Sequence, residues 1–238
     1  MLSAIREAVL SVPEKSVVAI TSKVVSVWQG RCIPKDQVPD KDQLIIAEAD
    51  KYLPREAAPG GWVMHTIKNN LFIPSAGIDE SNANNHYILW PRDVKKTARE
   101  LHGWIQKEYR VREVGVIITD SHTIPLRRGT MGISLAHAGF APIRDYRGTD
   151  DLFGRKYLIT TLDIADGLAA AAVLAMGEGS ERTPLALITD ISFVDFGVGS
   201  QESDKPFSSH EIEEKEDLYY PLLSAVPWEK GGGGSVHS

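Results

Sequence analysis

Cysteine is nearly missing, with Cys32 the one example in 238 residues. No internal disulfide can form, and no zinc site can be built from cysteine. Cys32 itself suits a small buried apolar position. Long apolar runs are missing too: nowhere do about 18 such residues follow one another, as a membrane-spanning helix requires. The first residues lack the basic-then-apolar pattern of a secretory signal. Positive charge is not in excess either. Lys and Arg total 26 against 32 Asp and Glu, a formal net charge of -6, which leaves no basic footprint for a nucleic acid. These absences lead to an expectation of a cytoplasmic protein with neither membrane nor nucleic-acid partners.

What is present is enough apolar material, 42% of residues, for one large domain or two intimate subdomains with a substantial core. Residues 1–12 read as a helix ended by Pro13, and Val17–Ile20 as a buried strand that delivers Thr21-Ser22-Lys23. A second apolar run, Val24–Trp28, follows at once. A helix is predicted over 41–53, stopped by Pro54, then a hairpin of strands 62–67 and 71–73 around Lys68-Asn69-Asn70. Pro91 to Tyr109 is the clearest amphipathic helix, with Val94, Ala98, Leu101 and Ile105 at helical spacing. Val114–Thr119 is a continuous apolar run of the kind covered on both faces of a sheet. A small-residue helix over 163–176 and a strand over 185–189 complete the pattern. This is a mixed α/β chain. The expected catalytic domain is 1–195, and 196–238 is expected as a polar extension, acidic from about 198 to 217. It ends in Gly231–Gly234 and Ser235, read as a flexible tail.

Four polar clusters could carry chemistry. Asp120 and Ser121 stand directly after the strongest apolar strand, where ligand sites in α/β sheets gather, and offer hard oxygen donors suited to Mg²⁺ or Mn²⁺. Asp79, Glu80, Ser81 and Asn82 form a second cluster after a strand, suited to a metal and a nucleotide or to a well-bonded loop. Arg144, Asp145, Arg147, Asp150 and Asp151 alternate in charge in a loop, with Arg127 and Arg128 nearby in sequence. Their guanidinium groups could bind a substrate carboxylate or pair on the surface. Met176-Gly177-Glu178-Gly179 follows the small-residue helix; its glycines would let backbone amides approach a phosphate, or simply stop the helix. Its spacing is neither a Walker loop nor a dinucleotide fingerprint. No Gly-x-Ser-x-Gly elbow or Cys–His arrangement supports covalent catalysis.

Taken in order, seven strings resemble the coenzyme F-420 gamma-glutamyl ligase family, and within it the branch labelled a folate-metabolism gamma-glutamate ligase. They are Ile20-Thr-Ser-Lys-Val-Val-Ser26, Ala76-Gly-Ile-Asp-Glu-Ser-Asn82, Val116-Ile-Ile-Thr-Asp-Ser121, Ile124-Pro-Leu-Arg-Arg-Gly129, Asp145-Tyr-Arg-Gly148, Asp151-Leu-Phe-Gly154 and Ala175-Met-Gly-Glu-Gly179. The resemblance implies a mixed α/β fold with mixed sheets, an intertwined homodimer, GTP or ATP as co-substrate, and Mg²⁺ or Mn²⁺, two per site. It implies Asp79 and Asp120 as ligands of one metal, and Ser121 and Glu178 as ligands of the other. Asn82 and the segment Met176, Gly177, Glu178, Gly179 to Thr183 would contact the nucleotide, together with Ser22 and Lys23.

Such an enzyme phosphorylates a carboxylate, and the amino group of L-glutamate then displaces phosphate from the acyl phosphate. Arg127, Arg144 and Arg147 are the candidates for holding the anionic acceptor or glutamate, and His122 or a carboxylate for taking the ammonium proton. Deazaflavin ligases typically carry Gly-Arg-Pro-Trp-Arg after the Asp-Ser/Thr pair; here the string is Thr123-Ile-Pro-Leu-Arg127. The expected acceptor is therefore a folate-like or related small carboxylate. The deazaflavin precursor is the alternative, and a nucleotide- and metal-binding protein without ligase activity is a third reading.

Overall fold

A computed structural model describes residues 1–196 and 210–234. The acidic stretch expected from about 198 lies partly outside these, as does Ser235. In chain order the helices are α1 (Leu2–Ala8), α2 (Ser22–Trp28), α3 (Lys41–Glu48), α4 (Val94–Tyr109), α5 (Ile164–Met176) and α6 (Tyr220–Leu223). The strands are β1 (Ser16–Thr21), β2 (Cys32–Pro34), β3 (Lys51–Tyr52), β4 (His65–Lys68), β5 (Leu71–Pro74) and β6 (His86–Ile88), then β7 (Val114–His122), β8 (Met131–Ala138), β9 (Ile143–Asp145), β10 (Thr161–Asp163), β11 (Leu185–Ile188) and β12 (Glu229–Lys230).

The chain forms two compact units, interleaved in sequence rather than divided near residue 195. Unit 1 takes Met1–Val24, Asp93–Ser121 and Met131–His210; unit 2 takes Val25–Arg92, His122–Thr130 and Glu211–Ser238.

Unit 1 is built on a mixed sheet in the order β11-β1-β7-β8. β1 runs parallel to β7 and antiparallel to β11. Val114 to Thr119 are buried one after another, as expected for a strand covered on both faces. The small residues of α5 are used for close approach. Ala165, Ala169 and Ala172 are buried against the sheet residues Val17, Ile117 and Ala19. Gly132 on β8 sits so close that an added methyl would run into the carbonyl of Ala169. α5 starts at Asp163, whose side chain accepts from the amide of Asp166. Asp166 in turn accepts from the amide of Ser134 on β8, 2.8 Å away. In α4, Ala98, Leu101 and Ile105 turn inward as their spacing predicts, and Arg110 ends the helix in the left-handed region.

Unit 2 carries an antiparallel sheet in the order β12-β3-β4-β5, and a separate β2–β6 ladder. The predicted hairpin is present. Asn69 and Asn70 both adopt positive φ, 49° and 61°, which a tight turn between twisted strands requires. Leu44, Ile45 and Ala49 pack with Met64, Ala76, Ile78 and Leu89.

Several predicted boundaries move, among them the start of α4, at Val94 rather than Pro91, and of β4, at His65 rather than 62. The helix expected over 41–53 stops at Glu48 because Lys51 and Tyr52 are claimed by β4 as a sheet strand. The first helix ends at Ala8, short of residue 12, and the apolar run Val24–Trp28 belongs to α2.

Under the unit 2 core lies an ion cluster. Glu48 is fully buried; Lys68 donates to its Oε2 at 2.5 Å and Arg31 at 2.9 Å. Burial by itself would push the Glu48 carboxyl up, yet the charges and hydrogen bonds of Lys68 and Arg31 hold it below its ordinary value. Arg31 also donates through Nε to the carbonyl of Trp90, over whose ring Lys68 lies.

Candidate active site

Within unit 1 the strand register gathers the predicted residues at one edge. Thr21 at the end of β1 is level with Thr119 on β7, so Ser22 and Lys23 emerge beside Asp120 and Ser121. β11 begins at Leu185, level with Ile20, and the amide of Thr21 donates to the carbonyl of Pro184. The segment 177–184 therefore returns to the same edge. Ser22, Lys23, Asp120, Ser121 and Thr183 thus share the carboxyl end of the parallel β1–β7 pair, where open side chains and backbone ends face a ligand in α/β sheets; Glu178 stands five residues before Thr183 in the loop that leads there.

Asp120, Ser121 and His122 are not in a loop after the strand, as the sequence suggested. They are its last three residues, half-buried, which fixes their spacing by the pleat. Ser22 is buried and Glu178 is exposed.

The loop after α5 is held by its own residues. Gly177, with φ 83°, donates to the carbonyl of Val173, and Gly179 donates to Glu181 at 2.7 Å. Thr183 donates through its hydroxyl to the carbonyl of Met176. Glu181 was not singled out by sequence reasoning. A carboxylate two positions after a glycine, able to take that glycine's amide, was the available signal.

Unit 2 holds the other cluster. After β5 the chain passes through Ser75, Ala76 and Gly77, with φ of 52°, 54° and 68°. Ser75 and Ala76 pay a steric cost in this region that glycine does not, and buried packing retains them there. A methyl on Gly77 would strike the indole of Trp90. Asp79 then bridges Ile88 through both backbone groups, at 3.0 and 2.8 Å. Its Oδ1 accepts from the amide and the hydroxyl of Ser81, each at 2.7 Å.

Glu80 goes a different way from Asp79. Lys35 and Lys41 donate to its two oxygens at 2.5 and 2.6 Å, and these bonds pull its pKa to about 2. Glu80 is thus an anchor for the loop. Asn82, the predicted nucleotide contact, is exposed with φ 53°. Arg127 lies on the exposed segment 123–130 of this unit.

Of the two candidate arginines of unit 1, Arg147 sits in a turn as expected and Arg144 does not. Arg144 and Asp145 belong to β9, paired with β10. Arg144 lies over the ring of Tyr146, 5.2 Å from its centre. Arg147 grips Asp145 with two hydrogen bonds of 3.0 Å, so surface pairing holds this guanidinium.

The family described as F420-0:Gamma-glutamyl ligase matches residues 1–190. The chain belongs to that family. The coenzyme F420:L-glutamate ligase of Methanopyrus kandleri is 32% identical over 191 residues, covering 73% of this chain and 74% of that protein. Its namesake in Methanothermobacter thermautotrophicus is 32% identical over 202 residues, 79% of this chain and 80% of the relative. The protein of that name from Methanocaldococcus jannaschii is 29% identical over 201 residues. For this F420-0:gamma-glutamyl ligase family member, the match takes in the carboxyl end of the β1–β7 pair, the Asp79 loop and the whole of β11 alike.

Proposed function

We propose that the protein is a nucleoside-triphosphate-dependent gamma-glutamyl ligase that joins L-glutamate to the deazaflavin precursor of coenzyme F-420. The observation that carries this is the family match together with the gathering of Ser22, Lys23, Asp120, Ser121 and the 177–184 segment at one sheet edge. The names of the relatives favour the deazaflavin acceptor over the folate-like one expected from Thr123–Arg127.

The residues fit a divalent metal that arrives with its nucleotide. In unit 1, Asp120, Ser121 and Glu178 are hard oxygen donors; Asp79 is a separate candidate donor of unit 2. Among the described residues no three His, Cys, Asp or Glu side chains form a metal-holding group by themselves. Phosphate oxygens and water would complete the shell, the usual habit of Mg²⁺ in phosphoryl-transfer sites. Bound there, Mg²⁺ or Mn²⁺ would neutralise charge on the phosphate oxygens.

In this reading Lys23 holds phosphate of GTP or ATP and Asn82 is a further candidate nucleotide contact, while the amides of Gly177 and Gly179 are already taken by Val173 and Glu181. Arg127 and Arg144 orient the acceptor carboxylate and glutamate, and His122 takes the proton from the glutamate ammonium. The carboxylate oxygen attacks the terminal phosphorus, nucleoside diphosphate leaves, and the glutamate nitrogen then displaces phosphate from the acyl carbon.

The assay is incubation with labelled glutamate, GTP or ATP, Mg²⁺ or Mn²⁺, and either the deazaflavin precursor or a pterin carboxylate. The expected result is a mass gain of one or more glutamyl units on the precursor, with release of phosphate. Gain on the pterin alone would restore the folate-like reading. Saturable nucleotide binding without product from either acceptor would favour a non-catalytic binding protein.

Self-association is part of the proposal. The β9–β10 arm exposes Leu152, Phe153, Leu158 and Ile159, the first at 96%. Such an apolar run suits the interface of a homodimer. Light scattering after gel filtration should give twice the chain mass, and a monomer at micromolar concentration would rule this out.

A further inference from the structure

We propose that residues 229–234 form a backbone latch, and that its seat on α3 is an interaction surface that reads a side-chain-free segment, in this protein its own four glycines. The inference does not depend on the ligase reading. A helix leaves its last carbonyls without intrahelical partners. α3 has no glycine of its own to end on; Ala49 continues in extended conformation. Instead the caps come from the far end of the chain. Gly232 donates to the carbonyl of Ile46 and Gly234 to that of Ala47, both at 2.9 Å. Gly233 donates to Ala49 at 2.8 Å and Gly231 to Asp50 at 2.9 Å. Four successive amides meet four carbonyls.

Each position excludes a side chain for its own reason. A methyl at Gly231 would overlap the carbonyl of Ala49, and one at Gly232 would stand 2.6 Å from the carbonyl oxygen of Ala47. Gly233 and Gly234 adopt φ of 64° and 75°, a region in which glycine alone is unstrained. The segment expected as a flexible tail is therefore a fitted one.

Its approach is also fixed. Glu229 and Lys230 pair with Tyr52 and Lys51 as the outer strand of the unit 2 sheet. Tyr52 donates to Glu229 at 2.6 Å, and the Trp228 ring meets Phe72 edge-on. At the other end, a methyl on Gly234 would be 3.4 Å from Glu48 Oε2. The latch thus closes beside the Arg31–Glu48–Lys68 cluster, whose remaining oxygen, Glu48 Oε1, is buried with no partner among the described residues. Seated, the glycines cap α3 and shield that cluster from water.

Amide hydrogen exchange on the full chain tests this directly. Gly231–Gly234 should exchange at least about 100-fold more slowly than the same glycines in a free peptide; exchange at the free-peptide rate would overturn the proposal. Gly232→Val should return all four amides to within about 3-fold of that rate and speed exchange in α3. Gly103→Ala, where the methyl meets open space, should leave them protected. Retained protection in Gly232→Val would also overturn it. If that variant does not fold, the wild-type measurement still decides.

Discussion

In unit 1, Asp120 stands on a strand whose six preceding residues are all buried, while in unit 2 Asp79 follows three residues with positive φ. One carboxylate is placed by regular hydrogen-bonded structure, the other by strained backbone that ion pairs and packing hold in shape. On a strand end, removing the functional side chain leaves the support untouched, because the ladder is made by backbone. In the irregular loop, support and function are different residues, so damage to Glu80 or Gly77 should reach Asp79 without touching it.

The largest effect expected is on turnover. Asp120→Ala should lower metal-dependent nucleotide turnover at least about 100-fold. Full turnover in that variant would remove Asp120 from the proposed site. Next comes Glu48→Ala, which removes the buried carboxylate to which both Arg31 and Lys68 donate and should cost about 3–5 kcal/mol in denaturant unfolding. A loss below about 1 kcal/mol would mean water already reaches the cluster.

Gly77→Ala should cost about 1–3 kcal/mol, since the methyl meets both Trp90 and an unfavourable φ. Faster exchange should be confined to the loop around Asp79 if the left-handed turn is its support. The smallest effect is a pH dependence. The folded carboxyl of Glu80 is pulled down to about 2 from an ordinary 4.5. Its contribution is therefore present in full above about 4.5 and is lost as pH falls towards about 2. Glu80→Gln should flatten that part of the stability curve, and high salt should do the same, because the pair is half-exposed. An unchanged acid limb in Glu80→Gln would show that the clamp is not formed in solution.

Much of unit 1 was legible because its signals are local. Ala98, Leu101 and Ile105 recur at helical spacing, Val114–Thr119 is an unbroken apolar run, and Asp163 precedes a small-residue helix. The ordered strings around Ser22, Asp79, Asp120 and Glu178 pointed to the family, which the match over residues 1–190 bears out. What could not be read were choices made by distant partners. Lys51 and Tyr52 looked helical until β4 claimed them. Gly231–Gly234 looked like a linker because nothing in four glycines names Ile46 and Ala47 as acceptors. Glu48 offered one missed clue. It follows Leu44 by one helical turn, on the apolar side of α3, where a charge needs a partner. The acceptor expectation leaned on Thr123–Arg127, an exposed segment with little packing to constrain its sequence.

The pairing of β1 with β7 also sets the order of events when the chain folds. Ser16 and Val114 are partners about 100 residues apart, so closing that pair means restraining a long loop before any ladder bond forms. Until then β1 is an apolar segment with open edges on both sides, exposed while the intervening residues are still being synthesised. Its second neighbour, β11, comes later still. A ribosome-bound chain ending before residue 185 would hold the β1–β7 partners that carry Ser22 and Asp120 but lack β11, and so leave the other side of β1 uncovered.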